Sequence, residues 1–292
     1  MTSVVRRDAV AIAQPARAVL EGPRRYGAIL GTSRDWTYLD IDGFVLVLGP
    51  SSRLPNAVGL GSDPLPATGR RGGAVIGERS VTFADAEVRV PSSVPTWDPS
   101  VPRWFGASDV VSRAREMVRS LGLRDLGGAD AAARVIAAVA RDGSALPALE
   151  VSVLFDGLAG GDLRRAVAVG RSMIGAGAGL TPDADDILWA ILLVLNATVP
   201  AFSIGITELK TWGSALCPPD VEARTTRLSA TLLRLAAGGL GPEPALRALG
   251  PSVGWQRGME ELWSLGHSSG RVACVAMAAA MSSLARRAQG AW

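Results

Sequence analysis

Residues 187–195, Ile-Leu-Trp-Ala-Ile-Leu-Leu-Val-Leu, place no charged side chain on any face of the helix they would form. A helix that is apolar all round is stable only when other elements surround it. The uncharged stretch continues to residue 207, but Asn196, Thr198, Pro200 and Ser203 interrupt it, and its strongly apolar part is too short to cross a bilayer. The run therefore reads as a core helix, in a chain of 292 residues that is long enough to enclose it.

The residues that lead into this helix carry most of the chemistry. Positions 175–186 read Gly-Ala-Gly-Ala-Gly-Leu-Thr-Pro-Asp-Ala-Asp-Asp. Alternate glycines permit a tight turn and a close backbone approach to a ligand. Thr181 has the chemistry of an N-cap, and Pro182 suits the first helical position. A helix start of this kind offers N–H groups and a positive dipole end to phosphate or carboxylate, which makes Gly177, Gly179 and Thr181 candidate anion-binding positions. The spacing fits neither the Walker A loop nor the dinucleotide G-x-G-x-x-G, so nucleotide binding through those motifs is excluded.

Three acids follow at once. Asp183 and Asp186 share a helix face, whereas Asp185 points elsewhere. Acids in a first turn also serve simply to complement the dipole. In a helix so apolar, however, at least one is carried into the core, where desolvation favours the neutral form. Asp183, Asp185 and Asp186 are thus candidate catalytic acids, and Asp186, beside the apolar run, is expected to be the most desolvated.

Two further segments have site chemistry. Gly-His-Ser-Ser-Gly at 266–270 precedes an apolar helix over 272–284 and formally matches G-x-S-x-G. A nucleophile elbow needs a separate base histidine, and the chain has one histidine, inside the motif. Ser268 or Ser269 as the helix cap, with Gly266 ending the previous helix, is the plainer role, and both serines are also candidate substrate- or anion-binding positions; His267, the one imidazole of the chain, remains a candidate catalytic group. Arg-Thr-Thr-Arg-Leu-Ser at 224–229 opens a helix to Ala237, where Arg224, Thr225 and Ser229 either clamp an oxyanion or cap and solvate the helix start.

The remaining pattern sets the architecture. Short apolar runs at 27–30, 37–41, 44–48, 74–76, 80–83 and 86–90, with hairpin signals at Asp42-Gly43 and Gly77-Glu78, predict an antiparallel β domain. Prolines 91, 95, 99 and 102 mark a crossing segment, after which helical periodicity dominates, including helices over 108–121 (capped by Ser108 or Asp109), 129–140 and 163–173. The expected class is α+β, with a β-rich domain over 1–102 packed on a mainly α-helical domain over 103–292 that holds the buried central helix.

Composition excludes several functions. The net charge is +3, and the basic residues, all arginine except Lys210, are scattered among acids, so no nucleic-acid partner is expected. No membrane partner is expected either, because Gln14, Pro15 and Arg17 interrupt any apolar N-terminal core. Cys217 and Cys274 are too few for a disulfide framework and lack metal-ligand spacing, which predicts a reduced cytoplasmic location and no metal or other cofactor.

Taken in order, the segments at 175–186, 225–238 and 266–270 resemble the oxamate carbamoyltransferase subunit family known as AllH-like. Its members carry stretches like G-x-G-x-G-L-T-P-S-G-D-D, T-x-x-x-S-A-x-L-x-x-A-x-x-G and G-H-T-S-G. The resemblance covers about residues 161–283 well and the β half only loosely. It implies a subunit of an enzyme that exchanges a carbamoyl group between oxamate and phosphate, a small-molecule substrate, and assembly with partner subunits or as a homo-oligomer. The chain departs from the pattern at Asp183-Ala184, where the family has Ser-Gly, and at Ala178, where many relatives have proline; the extra carboxylate weakens phosphate binding and allows a different substrate.

A second reading comes from Asp183-Ala184-Asp185-Asp186, which spells D-x-D-D and resembles the acid motif of class II terpene cyclases. The apolar helix and tryptophans such as Trp189, Trp212, Trp255 and Trp263 would then line a cation-stabilising pocket. A third reading is a non-catalytic assembly subunit.

Overall fold

Short apolar runs between turn signals build the first half of the chain into a sheet, some alternating in burial, as at Thr37–Ile41, and others buried almost throughout, as at Phe44–Gly49. The structure, a computed structural model, describes residues 4–33, 35–51, 53–62, 65, 72–104, 106–123, 129–140, 146, 148–160, 162–202, 206–251 and 253–289. Residues 203–205, at the end of the uncharged stretch, lie outside the described residues. The chain divides into two units, Met1–Pro99 and Ser100–Trp292.

In the first unit the elements run β1 (Val5–Asp8), β2 (Ala11–Ala13), α1 (Gln14–Glu21), β3 (Arg25–Thr32), β4 (Thr37–Ile41) and β5 (Phe44–Gly49). They continue with β6 (Ala57–Gly59), β7 (Gly73–Gly77), β8 (Ser80–Thr82), β9 (Ala86–Arg89) and β10 (Thr96–Trp97). One sheet orders them β1-β9-β8-β7-β3-β4-β5-β6-β2-β10. Its buried face gathers Leu39, Ile41, Leu46, Leu48, Ile76, Val81 and Val88 with Ala16 and Leu20 of α1.

The sheet is mixed, which corrects the antiparallel expectation. Hairpin-linked neighbours such as β4–β5 are antiparallel, but β1–β9, β2–β10 and β5–β6 are parallel. The reason is that local turn signals report only strands joined by a tight turn, whereas these pairs are closed by longer excursions of the chain. Asp42 and Gly43 adopt φ of 52° and 86°, as a type I′ turn demands. The second tight turn sits one residue later than its signal, on Glu78 and Arg79 with φ of 49° and 64°.

The second unit is helical: α2 (Ala107–Ser120), α3 (Ala129–Val139), α4 (Ala148–Ala159), α5 (Leu163–Met173), α6 (Asp183–Thr198), α7 (Ile206–Leu216), α8 (Arg227–Ala237), α9 (Glu243–Leu249), α10 (Trp255–Trp263) and α11 (Ser269–Gln289). Helix α6 is the buried centre, with every residue but Asn196 inaccessible. It packs against α5, α7, α8 and α11. The apolar run leaves it no face for water, so its neighbours must cover the full circumference. Helix α11 contributes small residues, Ala273, Ala276 and Ala280 among them, that permit close approach. Helix α2 starts at Ala107 behind Gly106, with no side-chain cap, so neither Ser108 nor Asp109 has the expected role.

The turn between α10 and α11 depends on a missing side chain. A Cβ on Gly270 would lie 1.8 Å from the Leu262 carbonyl oxygen and 2.8 Å from that of Leu265. Both are backbone atoms, which cannot rotate away. Gly270→Ala is therefore expected to destabilise the helical unit by about 1–3 kcal/mol, as overpacking does. Chemical denaturation followed by circular dichroism checks this, and an unchanged midpoint would refute the close-approach account.

Candidate functional site

The acids of α6 are buried because the apolar run draws the whole helix inward. Asp183 and Asp185 are 0% exposed and Asp186 is 1% exposed. Burying charge without compensation is costly, so each carboxyl must be hydrogen-bonded or neutral. The three meet this requirement in different ways.

Asp185 is tied by three donors. Its Oδ1 accepts the Gly175 backbone N–H at 2.8 Å, and its Oδ2 accepts the Ser229 hydroxyl at 2.7 Å together with the Thr225 hydroxyl. The carboxyl thereby joins the glycine loop, the entry to α8 and α8 itself to the start of α6. Burial pushes its pKa up, while the bonds from Ser229, Thr225 and Gly175 act the other way. Asp183 faces the opposite side, where its Oδ1 accepts the Ser268 hydroxyl at 3.0 Å.

Asp186 is the exception. Its Oδ1 accepts the Trp189 indole N–H at 2.9 Å, one turn along the same helix. Its Oδ2 is buried with no hydrogen-bond partner. Burial raises its pKa well above the usual carboxylate value; the Trp189 and Ser269 side chains oppose this, and the charges of Asp183 and Asp185 add to it. The Ser269 hydroxyl thus stands close enough to favour the ionised form, yet it makes no hydrogen bond to Oδ2. Because the indole donor requires Oδ1 as an acceptor, the proton of the neutral acid belongs on Oδ2.

The glycine loop closes over this helix start. Gly175, Gly177 and Gly179 have φ of 83°, 121° and 96°. At Gly175 a Cβ would fall 2.1 Å from the Arg224 carbonyl oxygen, so glycine alone lets the loop lie against the entry to α8. Residues 177–180 are exposed. Thr181 does not cap by the expected route: its hydroxyl is 2.7 Å from that of Ser269, and Asp183, not Pro182, is the first helical residue. The N–H groups of Ala184, Asp185 and Asp186 bond to the carbonyls of Ala176 and Pro182. Any anion at this helix start therefore meets the loop backbone and not those amides.

The structure thus brings together Asp183, Asp185, Asp186, Thr181, Thr225, Ser229, Ser268 and Ser269, under the loop that carries Gly177 and Gly179. Two residues stand apart. The Arg224 guanidinium is turned to Asp220, at 2.9 Å. His267 is exposed, and its carbonyl accepts a bond from Arg271. The helix-capping role expected of Ser268 or Ser269 is replaced by bridging to the α6 region, since Ser268 bonds to Asp183 and Ser269 to Thr181. No group of three or more His, Cys, Asp or Glu among the described residues is arranged to hold a metal ion.

Residues 173–281 match the family model described as oxamate carbamoyltransferase subunit AllH. Over that segment, which is less than half of the chain, the sequence is similar to this family. No match was found among curated proteins or among solved structures. The AllH-like segment runs from the last residue of α5 into α11 and so contains the loop, the three acids, the α8 start and the serine turn.

Sequence reasoning overlooked two members of this network. Trp189 was legible as an i+3 partner of Asp186, but its indole N–H has a hydrogen-bonding role that apolar patterning hides. Thr226, not Thr225, caps α8, accepting the Ser229 N–H, and it also donates to the Leu180 carbonyl. Of the tryptophans named above, Trp189 reaches Asp186, whereas the Trp255 ring lies 4.7 Å from the Arg113 guanidinium, with the Trp104 ring 5.3 Å from the same group, and Trp263 is 39% exposed.

Two outcomes follow. Asp185→Ala leaves three buried or half-buried donors without their acceptor and should cost about 3 kcal/mol or more, measurable by denaturant titration. For Asp186, the folded state favours the neutral acid, so its contribution to stability is complete below the unfolded pKa and is lost as pH rises through the raised folded value. Asp186→Asn has no such loss. Thermal melts across pH should show the variant gaining on the parent as pH increases; a constant difference would mean that Asp186 does not titrate abnormally.

Proposed function

We propose that the chain acts in carbamoyl transfer, with a small carbamoyl- or carboxylate-bearing molecule held at the loop over α6 and Asp186 as the acid-base group. The observation that carries this reading is the buried Asp186 Oδ2, which lacks a partner within the AllH-like segment. Moving a carbamoyl group between an amide nitrogen and a phosphate oxygen requires that nitrogen to gain a proton as it leaves and to lose one as it attacks. The neutral carboxyl supplies the proton to the leaving nitrogen and becomes the carboxylate, which in the reverse direction takes the proton from the attacking nitrogen.

The other groups have supporting tasks. Asp185 fixes the loop against α8, and the exposed backbone at 177–180 offers N–H groups to substrate oxygens. The buried carboxylates disfavour a dianion close to the helix start, so a phosphate group is expected to sit toward the outer part of the loop. The family description as a subunit supports assembly with partner chains, and no redox cofactor enters the reaction proposed.

The test is calorimetric titration with carbamoyl phosphate and with oxamate, of the chain alone and mixed with the products of neighbouring genes. Binding of at least one is expected. Asp186→Asn should then retain binding while turnover falls by about two powers of ten or more, the range typical of general acid-base catalysis. Absence of binding in both preparations, or near-parental turnover by Asp186→Asn, would overturn the reading.

A further inference from the structure

The Asp186 carboxyl is 1% exposed, with Oδ1 occupied by Trp189 and Oδ2 unpaired. An acid enclosed in this way exchanges its proton only through a neighbour that reaches the outside. Two hydroxyls make such a connection. Ser269, the first residue of α11, stands beside the carboxyl, and its Oγ is 2.7 Å from the Thr181 Oγ1. Thr181 is half-buried and directly follows the exposed residues 177–180.

We infer that Ser269 and Thr181 relay a proton between Asp186 and a group bound at the glycine loop. The inference rests on the acid-base assignment of Asp186 above. In the outward direction Asp186 Oδ2 gives its proton to Ser269 Oγ as Ser269 gives its own to Thr181 Oγ1 and Thr181 gives its own to the bound group. Both hydroxyls end unchanged, the carboxyl is left anionic and the bound group has gained one proton. The inward direction reverses each step.

Three features support this path. A hydroxyl both donates and accepts, and the Thr181–Ser269 bond can run either way, as a reversible relay requires. The Ser269 hydroxyl does not bond to Oδ2 in the resting arrangement, so transfer requires a small movement that brings Ser269 Oγ to Oδ2 while its contact with Thr181 is kept. The remaining hydroxyls have other acceptors: Ser268 donates to Asp183, and Thr225 and Ser229 donate to Asp185. Thr226 holds the Leu180 carbonyl, which fixes the loop end that presents Thr181.

Infrared spectroscopy tests the relay without substrate. The carbonyl band of the protonated acid is identified as the band lost in Asp186→Asn, and its shift on transfer to D2O reports exchange of the Oδ2 proton. Thr181→Val and Ser269→Ala should each slow that exchange by about tenfold or more, because the proton must then await local opening of the fold. Thr181→Ser should exchange at the parental rate. Exchange at the parental rate in both Thr181→Val and Ser269→Ala overturns the relay. So does equal slowing in Thr181→Ser, which would assign the effect to packing, and so does the absence of a protonated-acid band. A working relay in a chain that binds neither carbamoyl phosphate nor oxamate would sink the carbamoyl reading alone, so the two failures are distinguishable.

Discussion

The burial of a charged helix start governs the helical unit. Helix α6 has no polar face, so its first turn goes to the interior with the rest of it, and three carboxyl groups go with that turn. An isolated buried carboxylate costs several kcal/mol. The unit answers with a three-donor clamp for Asp185, a serine hydroxyl for Asp183, and for Asp186 a single indole donor together with the neutral form.

These answers draw distant segments together. The donors to the acids come from the glycine loop, from the start of α8 and from the turn before α11, each at the end of a helix or loop where polar groups need partners. Gly175 and Gly270 make the approach possible, since a Cβ at either would strike backbone oxygen. A network of this kind within an apolar core holds the loop, α6, α8 and α11 in register, because loss of one member leaves several buried groups unsatisfied.

The same arrangement treats Asp185 and Asp186 differently. Asp185 is saturated with donors and therefore suited to holding the loop. Asp186 has one oxygen without a partner and a strong preference for the neutral state. Burial therefore favours its neutral form and encloses the carboxyl, and the proposed relay through a neighbouring hydroxyl answers that enclosure. The exposed residues 177–180 provide the surface at which such a proton would be used.

The amino-acid sequence by itself determined the elements whose cause is local. The apolar run at 187–195 demands a buried helix wherever it stands, Asp42-Gly43 demands a primed turn, and the strands from β3 to β9, except short β6, announce themselves as short apolar runs between turn residues. Asp186 was legible as the acid nearest the apolar run. Tertiary structure decided what depends on partners far along the chain: the parallel pairings of β1, β2 and β6, the capping of α8 by Thr226, the engagement of Ser268 and Ser269 with the α6 region in place of helix capping, and the turning of Arg224 to Asp220. The physical reason is that burial follows from the chain's own composition, whereas a hydrogen bond requires two groups within about 3 Å, and which donor reaches which acid is settled only when the helices have packed.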